Sequence, residues 1–426
     1  MLDIKFIRDN MELVKKAIKD KNVNLDMDKF IEVDIERRKL LTEVERLKCE
    51  KNEVSSKIGK LMKEKKNAKD IIASMKTLSQ KIADLDDKVE EKDNIFKNFI
   101  YGIPNIPDKS VPIGAGPEAN KLVKEWGKLP KIAFKAKTHL ELGKNLGLFD
   151  FGRATKMSGS GFVLFSDVGA RLQRALINFM LDMHTKKHGY KEVSPPFLVN
   201  RRSMIGTGQL PKLEVDMYRV ADEDLFLIPT AEVPVTNIHA GEVLEEEMLP
   251  INYTAYTACF RKEAGSYGKD TKGLMRVHQF DKVELVKFVK PETSSNELEK
   301  LLKDAEVIIQ ALELPYRIVA LSTGDLSFAA SKCYDIELWA HASKKWLEVS
   351  SCSTFMDFQA RRANIKFRSK DSKKTQYVHT LNGSGVALPR LIIALLENYQ
   401  NKDGSVNIPK ALRPYMNKAK VIKVQT

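Results

Sequence analysis

Charged and aromatic side chains cluster in the stretch FRKEAGSYGKDTKGLMRVHQFDKVEL, residues 260–285. Arg261 and Glu263 precede a glycine-containing loop, and a set with the same even spacing follows it: Arg276, His278, Phe280, Lys282 and Glu284. Side chains two residues apart on a β-strand point to the same face, so a hairpin would gather them, and the loop could close over a substrate. Arginines suit phosphates and a ring can stack on a flat base. The stretch predicts a nucleotide site; the alternative is a surface hairpin with scattered ion pairs.

Two further segments carry oxygen atoms that could meet the same ligand. In IPTAEVP, we expect an extended segment on which Thr230 and Glu232, two residues apart, share a face. The prolines beside them disfavour an ordinary central strand. In LEVSS, Glu348 precedes Ser350 and Ser351. A carboxylate and a hydroxyl are hard oxygen ligands of the kind that Mg²⁺ takes beside substrate phosphates. The second segment therefore predicts a magnesium site next to a nucleotide.

The segment LNGSGVALPR leads into an almost entirely apolar helix that carries Arg390. Its glycines permit close backbone approach, a helix N-terminus favours an anion, and Pro389 is tolerated in a first helical turn. Burying Arg390 without a partner would be strongly unfavourable. We therefore expect it to meet a nucleotide phosphate or base; the alternative is an internal salt bridge.

The elements that must position these residues are mostly extended. Strand-like segments cluster between residues 225 and 353 without one helix per strand, which favours an antiparallel sheet with flanking helices over a doubly wound sheet. The predicted fold class is α+β.

Before this body, apolar residues repeat in steps of three, four and seven on two stretches separated by the polar break KEKKNAKD. Such seams predict an antiparallel coiled-coil hairpin. Prolines at 104, 107, 112 and 117 then mark a linker. We predict an N-terminal domain at 1–103, a linker at 104–118 and a catalytic domain at 119–426. The seam residues are Leu40, Val44, Leu47, Val54, Ile58 and Leu61, then Met75, Leu78, Ile82, Leu85, Val89, Phe96 and Phe99.

The tip of the predicted hairpin is strongly basic and would suit a phosphate backbone. The alternative is a solvated coiled coil that only mediates assembly. The tip residues are Lys57, Lys60, Lys63, Lys65, Lys66 and Lys69, with Glu64 as the one acid among them.

Composition sets broad limits on the function. The formal net charge of +14 over 426 residues favours an acidic partner, although a generally lysine-rich proteome would give the same excess. The four cysteines form no C-x-x-C pair, so we expect free thiols and no zinc. No apolar run approaches the length of a membrane span, and the charged N-terminus is not a signal peptide. We expect a soluble cytoplasmic protein.

Taken together, these motifs closely resemble the seryl-tRNA synthetases, class II aminoacyl-tRNA synthetases, and in particular the bacterial or organellar type. The resemblance covers nearly the whole chain. It includes GTGQLPK, TAEVPVTN, EVSSCSTFMDFQARRANIKFR and NGSGVALPRLIIALLENYQ, and HGYKEVSPPFLVN would be the dimer-forming motif 1. The resemblance implies a class II antiparallel catalytic domain, a homodimer, and attachment of L-serine to tRNA through a seryl-adenylate.

The resemblance also implies the site residues. Arg261 would hold the serine carboxylate and the α-phosphate, and Glu263 would read the adenine amino group. Phe280 and Arg390 would sandwich the adenine, and Mg²⁺ would bind Glu348 and Ser351. The implied serine-binding residues are Thr230, Ala231, Glu232, Arg261, Glu284, Asn382 and Ser384. The implied ATP-binding residues are Arg261, Lys262, Glu263, Arg276, Val277, Phe280, Glu348, Val349, Ser350, Ser351 and Arg390.

The resemblance implies that residues 1–103 form a tRNA-binding domain. Its implied partners are serine tRNA, gripped by its long variable arm, and the selenocysteine tRNA where that tRNA exists. Two other functions stay open. A ligase that activates a small amino acid for a carrier protein would share the catalytic motifs but lack the arm. A catalytically inactive RNA-binding paralogue would keep the arm but could lose catalytic motif residues. Arg261, Glu263, Glu348 and Arg390, whose loss would support this alternative, are all present.

Overall fold

The computed structural model describes residues 1–264 and 272–424. The predicted closing loop between Glu263 and Arg276 lies largely at 265–271, outside the described residues. The described α-helices are α1 (Ile4–Asp9), α2 (Met11–Asp20), α3 (Met27–Lys63), α4 (Lys69–Gly102), α5 (His139–Asn145), α6 (Phe151–Ser158), α7 (Asp167–Lys187), α8 (Arg201–Thr207), α9 (Glu232–Thr236), α10 (Ser294–Ala311), α11 (Phe358–Ala363) and α12 (Leu388–Tyr399).

The described strands all lie after the predicted linker. They are β1 (Lys121–Trp126), β2 (Phe149–Asp150), β3 (Leu164–Phe165), β4 (Lys191–Glu192), β5 (Leu198–Asn200), β6 (Leu225–Leu227), β7 (Val243–Glu245), β8 (Ile251–Phe260), β9 (Gln279–Val289), β10 (Tyr316–Ala320), β11 (Lys332–Ala340), β12 (Lys345–Met356), β13 (Lys366–Arg368), β14 (Thr375–Tyr377), β15 (His379–Ala387), β16 (Val406–Asn407) and β17 (Val421–Ile422).

The chain divides into two compact units, Val23–Ile103 and a larger unit of Met1–Asn22 with Pro104–Thr426. Helices α1 and α2 belong to the larger unit. The assignment of residues 1–103 to a tRNA-binding domain, with a linker at 104–118 and a catalytic domain at 119–426, therefore stays a prediction.

The larger unit is built on one sheet in the order β1-β10-β11-β12-β15-β9-β8-β4. Every neighbouring pair in this sheet is antiparallel except β4 with β8, which is parallel. The α+β prediction, with an antiparallel sheet and flanking helices, is confirmed.

The main hydrophobic core lies between this sheet and the helices α7, α10 and α12. Helix α12 is apolar nearly all round and buries Leu391 and Leu395 completely, and α10 buries Leu301 and Ile308 in the same core. Burying side chains of this size stabilises by roughly 1.5–3 kcal/mol each. The core therefore fixes the central strands β9, β12 and β15, whose opposite face carries the site.

The smaller unit is a helical hairpin. Helices α3 and α4 are joined by a short turn at 64–68, where the polar break was predicted. The seam buries Val44, Leu47, Ile82 and Phe96, and Phe96 stacks on Phe30 with ring centroids 5.4 Å apart. The coiled-coil hairpin prediction is confirmed.

Candidate active site

A pocket of about 740 Å³ opens on the face of the sheet away from the main core. Side chains from β9, β12 and β15 form its floor, and loops and helix starts form its walls. Of the predicted site residues, it gathers Thr230, Glu232, Arg261, Glu263, Arg276, Val277, Phe280, Glu284, Glu348, Val349, Ser351, Asn382, Ser384 and Arg390.

The deepest part of the pocket holds a buried ion pair, Lys282 with Glu284. The Lys282 Nζ also donates to Thr230 Oγ1 at 2.8 Å, and the Thr230 hydroxyl donates to Glu284 Oε2 at 3.1 Å. Phe280, Lys282 and Glu284 were predicted to alternate onto one face of a strand, and this prediction is confirmed for β9. Buried charges need such partners, so this group forms a polar end for a small ligand that carries an amino group and a hydroxyl.

Glu232 lies beside this group in a different local structure from the one expected. The extended interpretation of Thr230 to Glu232 is wrong, because Glu232 is the first residue of the short helix α9. Its carboxylate accepts a hydrogen bond from Gln359 Nε2 at 2.6 Å. Burial, together with the neighbouring charge of Glu284, raises the pKa of Glu232 to about 7. A carboxyl with this pKa can change its charge when a cationic ligand arrives.

The aromatic side of the pocket is formed by Phe280, with the guanidinium of Arg261 5.3 Å from the ring centroid. Strand β8 ends at Phe260 and β9 begins at Gln279, so Arg261, Glu263 and Arg276 lie beyond the strands and the prediction that they share a strand face is wrong. They still line the pocket, because the backbone pairing continues through Arg261 N–H to the carbonyl of His278 at 2.9 Å.

The polar rim beyond Phe280 is held by ion pairs. Arg276 donates to Glu263 Oε2 at 2.7 Å, and Glu263 adopts a left-handed φ of 51°. Arg390 donates to the carbonyl of Glu348 at 2.9 Å and pairs with its carboxylate at 3.2 Å. The salt-bridge alternative for Arg390 is therefore present in the structure, and Arg390 nonetheless lines the pocket beside Pro389.

Glu348 and Ser351 reach the same pocket because β12 is irregular. Across β11 and β12, Ile336 pairs with Ser350 and Glu337 pairs with Glu348, so Val349 is an extra residue in a β-bulge. A bulge changes the alternation of the strand by one residue, and two side chains three apart then share a face. The result is a carboxylate and a hydroxyl facing one space, a donor set that fits Mg²⁺.

Three predicted residues do not line the pocket. Ala231 is fully buried in a separate apolar cluster, and Lys262 is exposed with its ammonium 5.8 Å from the Tyr218 ring centroid. Ser350 is buried and donates to the carbonyl of Ser384 at 2.6 Å, so it supports the pocket from behind. His278, also expected on the ligand face, stacks on Phe162 with ring centroids 5.4 Å apart.

Several pocket residues were missed by the sequence reasoning. Lys282 stood on the predicted ligand face, and its alternation with Phe280 and Glu284 was the signal that could have included it. The turn after α8 and the loop at 327–329 form further walls, and no local pattern pointed to them. Gln359 does not line the pocket but supports Glu232 and donates to the carbonyl of Thr207 at 3.2 Å, and no sequence pattern indicated this role.

The predicted arm-tip lysines surround the turn between α3 and α4. All six side chains are exposed, and Lys66 forms an ion pair with Glu64 at 2.8 Å. Elsewhere, no helix within the described ranges is long and apolar enough to cross a membrane. In those same ranges, no three His, Cys, Asp or Glu side chains form a metal-binding group.

The comparisons with known proteins agree with this architecture. Residues 215–399 match the model of the tRNA synthetase class II core domain (G, H, P, S and T), which places the pocket in a class II aminoacyl-tRNA synthetase core. Residues 1–107 match the seryl-tRNA synthetase N-terminal domain. The chain belongs to the seryl-tRNA synthetase family.

Individual relatives span the whole chain. A serine–tRNA ligase of Trichlorobacter lovleyi is 55% identical over 416 residues, 98% of each chain. Among solved structures, the seryl-tRNA synthetase from Pyrococcus horikoshii complexed with ATP is 40% identical with a TM-score of 0.91, covering 100% of both chains. The cytoplasmic serine–tRNA ligase from Naegleria fowleri in complex with AMP is 28% identical with a TM-score of 0.85, covering 100% of this chain and 99% of that one.

Proposed function

We propose that this chain attaches L-serine to its cognate tRNA in two ATP-dependent steps. The observation that carries the proposal is the single pocket that joins a buried polar end, Thr230 with Lys282 and Glu284, to an aromatic and cationic side, Phe280 with Arg261. The first suits a small hydroxy amino acid and the second suits a nucleotide. The family membership of the chain supports the same pairing of substrates.

Selectivity for serine follows from the polar end. Glu284 would bind the ammonium group, with Asn382 and Ser384 completing the contacts to the hydroxyl. Alanine carries the same ammonium group but no hydroxyl, so it would leave Asn382 and Ser384 without that partner, and sites of this kind reject such analogues by about 10⁴-fold or more. Threonine must be excluded by the size of the pocket, where Thr230 and Glu232 are already buried.

Activation requires no general base. A serine carboxylate oxygen attacks the α-phosphate of ATP, an O–P bond forms, and the bond to the β-phosphate breaks to release pyrophosphate. Arg261 would orient the carboxylate and the α-phosphate while Phe280 and Arg390 hold the adenine. The residues therefore act by positioning and by stabilising the charge that develops on the phosphate oxygens.

Mg²⁺ fits the pocket through Glu348 and Ser351, whose oxygens face the same space. When bound, the ion would neutralise charge on the phosphates of ATP. Arg390 pairs with Glu348 at 3.2 Å in this structure, so the carboxylate is already held at the pocket. The expectation that no zinc takes part remains part of the proposal.

In the second step, a hydroxyl of the terminal adenosine of tRNA attacks the serine carbonyl and AMP leaves. The exposed lysines around Lys60 and Lys65 would contact the backbone of the long variable arm. Serine tRNA is the proposed partner, with selenocysteine tRNA as a second substrate where it exists. We further propose a homodimer formed through the segment around Pro195 and a cytoplasmic location.

The first experiment is ATP–pyrophosphate exchange with serine, threonine, alanine and glycine in turn, without tRNA. We expect exchange with serine alone. Exchange with alanine or glycine instead would support a carrier-protein ligase, and no exchange by the folded chain would support an RNA-binding paralogue. Arg261→Ala should abolish exchange, while Lys303→Ala, an exposed position on α10, serves as the matched charge-removal control. Charging of serine tRNA then tests the second step.

A further inference from the structure

We propose that His139 is a positioning residue for the nucleotide side of the pocket, acting through the backbone of Leu274. It lies at the start of α5, far along the chain from the motifs described above. The inference rests on the proposed function, because the ligand whose binding it affects is ATP. Residues 273–277, which bring the chain back from the loop into β9, are the segment that His139 holds.

The contact between His139 and Leu274 fixes the state of the imidazole. The Leu274 N–H donates to His139 Nε2 at 3.3 Å, so Nε2 must be the unprotonated, accepting nitrogen. The proton then lies on Nδ1, which donates to Glu397 Oε1 at 3.3 Å. His139 is 5% exposed and the Leu274 amide is buried as well, so neither group has water as an alternative partner.

Glu397 holds this ring from behind. Its side chain on α12 is fully buried and also accepts from His139 N–H at 3.2 Å, Ala342 N–H at 2.9 Å and Ser343 N–H at 3.1 Å. Burial opposes the charge, but hydrogen bonds from His139 and Ser343 outweigh it and lower the pKa of Glu397. An ionised carboxylate with this many donors cannot turn freely, so the imidazole is held in one orientation.

The backbone of residues 273–277 packs closely against His139 at Gly273. Gly273 has a left-handed φ of 71°, and a Cβ there would lie 2.4 Å from His139 Nε2 and 2.8 Å from Leu140 Cδ2. A residue other than glycine would therefore clash with the ring as well as adopt a strained backbone. On the pocket side, the carbonyl of Met275 accepts from Arg390 Nε at 3.4 Å.

These contacts connect His139 to the proposed ATP site through the backbone of residues 273–277. Met275, Arg276 and Val277 line the pocket directly, and Arg276 pairs with Glu263. Losing the acceptor at Nε2 would leave the Leu274 amide without a partner and release this edge of the pocket. The polar end at Glu284 is built on β9 and does not depend on that hydrogen bond, so ATP binding should weaken while serine binding should not.

Two amide variants separate the two hydrogen bonds of the ring. In His139→Gln, the side-chain oxygen can replace Nε2 as acceptor for Leu274. In His139→Asn, the shorter amide can replace only the donor at Nδ1 to Glu397. We expect His139→Asn to weaken ATP binding about tenfold, measured by calorimetry on the full chain, and to raise the KM for ATP in serine-dependent exchange by a similar factor. His139→Gln should stay within about threefold of the wild type, and the KM for serine should stay within about twofold in both.

The matched control is Leu142→Val, a buried apolar change one turn further along α5. It should lower thermal stability without changing ATP affinity. The inference is overturned if His139→Asn leaves ATP affinity unchanged, or if Leu142→Val weakens ATP binding equally at the same loss of stability. Failure of the proposed function would look different: the wild-type chain would bind ATP but show no serine-dependent exchange.

Discussion

The buried pair between Lys282 and Glu284 allows the structural and functional roles of the pocket to be separated. Their side chains are only 7% and 1% exposed, so Glu284→Gln leaves a buried ammonium whose remaining partner is Thr230 Oγ1 at 2.8 Å. Breaking one side of a buried ion pair typically costs about 3–5 kcal/mol. The double variant Lys282→Met with Glu284→Gln removes both charges, and we expect it to lose less than about 2 kcal/mol.

The assay is a double-mutant cycle in urea unfolding, followed by ATP–pyrophosphate exchange with serine on each folded variant. Stability should return largely in the double variant, whereas exchange should stay below detection because the carboxylate for the serine ammonium is still missing. If the double variant is as unstable as Glu284→Gln, the pair does not account for the loss. If it activates serine, Glu284 does not bind the amino acid.

Three further predictions concern the ring, the titrating carboxyl and the arm. Phe280→Ala should raise the KM for ATP about tenfold in pyrophosphate exchange, because it removes a stacking surface worth roughly 1–3 kcal/mol. The pKa of Glu232 is raised to about 7, so its unfolded form ionises first and stability should fall as pH rises from 5 to 8, by about 2–3 kcal/mol. Urea unfolding of Glu232→Gln should lack that fall. Replacing Lys57, Lys60 and Lys63 by Glu should weaken tRNA binding and flatten its salt dependence, while exchange without tRNA stays unchanged.

The predictions that were confirmed rest on patterns among residues close together in the sequence. The helical hairpin was predictable because its seam repeats over many residues, and each helix buries that seam against the other. Along β9, Phe280, Lys282 and Glu284 keep the period of two because the strand is regular there. The position of Pro389 at the start of α12 was predictable. The first backbone N–H groups of any helix have no partner within the helix, so a residue without an N–H is tolerated there.

The contacts that complete the site were not predictable, because they join residues far apart in the chain. Gln359 supports Glu232 across 127 positions, and His139 meets Leu274 across 135. A single glutamine or histidine has no spacing from which such a contact can be inferred. Glu232 itself was expected on an extended segment. The prolines beside it did not reveal the short helix α9, because proline disfavours a central strand and is also tolerated in the first turn of a helix.

Bulges in β12 and β15 explain why alternation is interrupted on these strands while it holds along β9. On β15, Asn382 and Ser384 precede the bulge and stand two apart, whereas Ser384 and Ala387 line the pocket on either side of it, three apart. In β12 the extra residue is Val349, and in β15 the pairing of Ser384 with Glu284 is followed by that of Val386 with Val283, which leaves Gly385 unpaired. A Cβ at 385 would lie 2.8 Å from His184 Nε2, so the bulge also needs a residue without a side chain. Each bulge shifts the following side chains by one face. Because these bulges lie on strands next to one another, residues that the sequence would divide between the two faces of the sheet converge on one pocket.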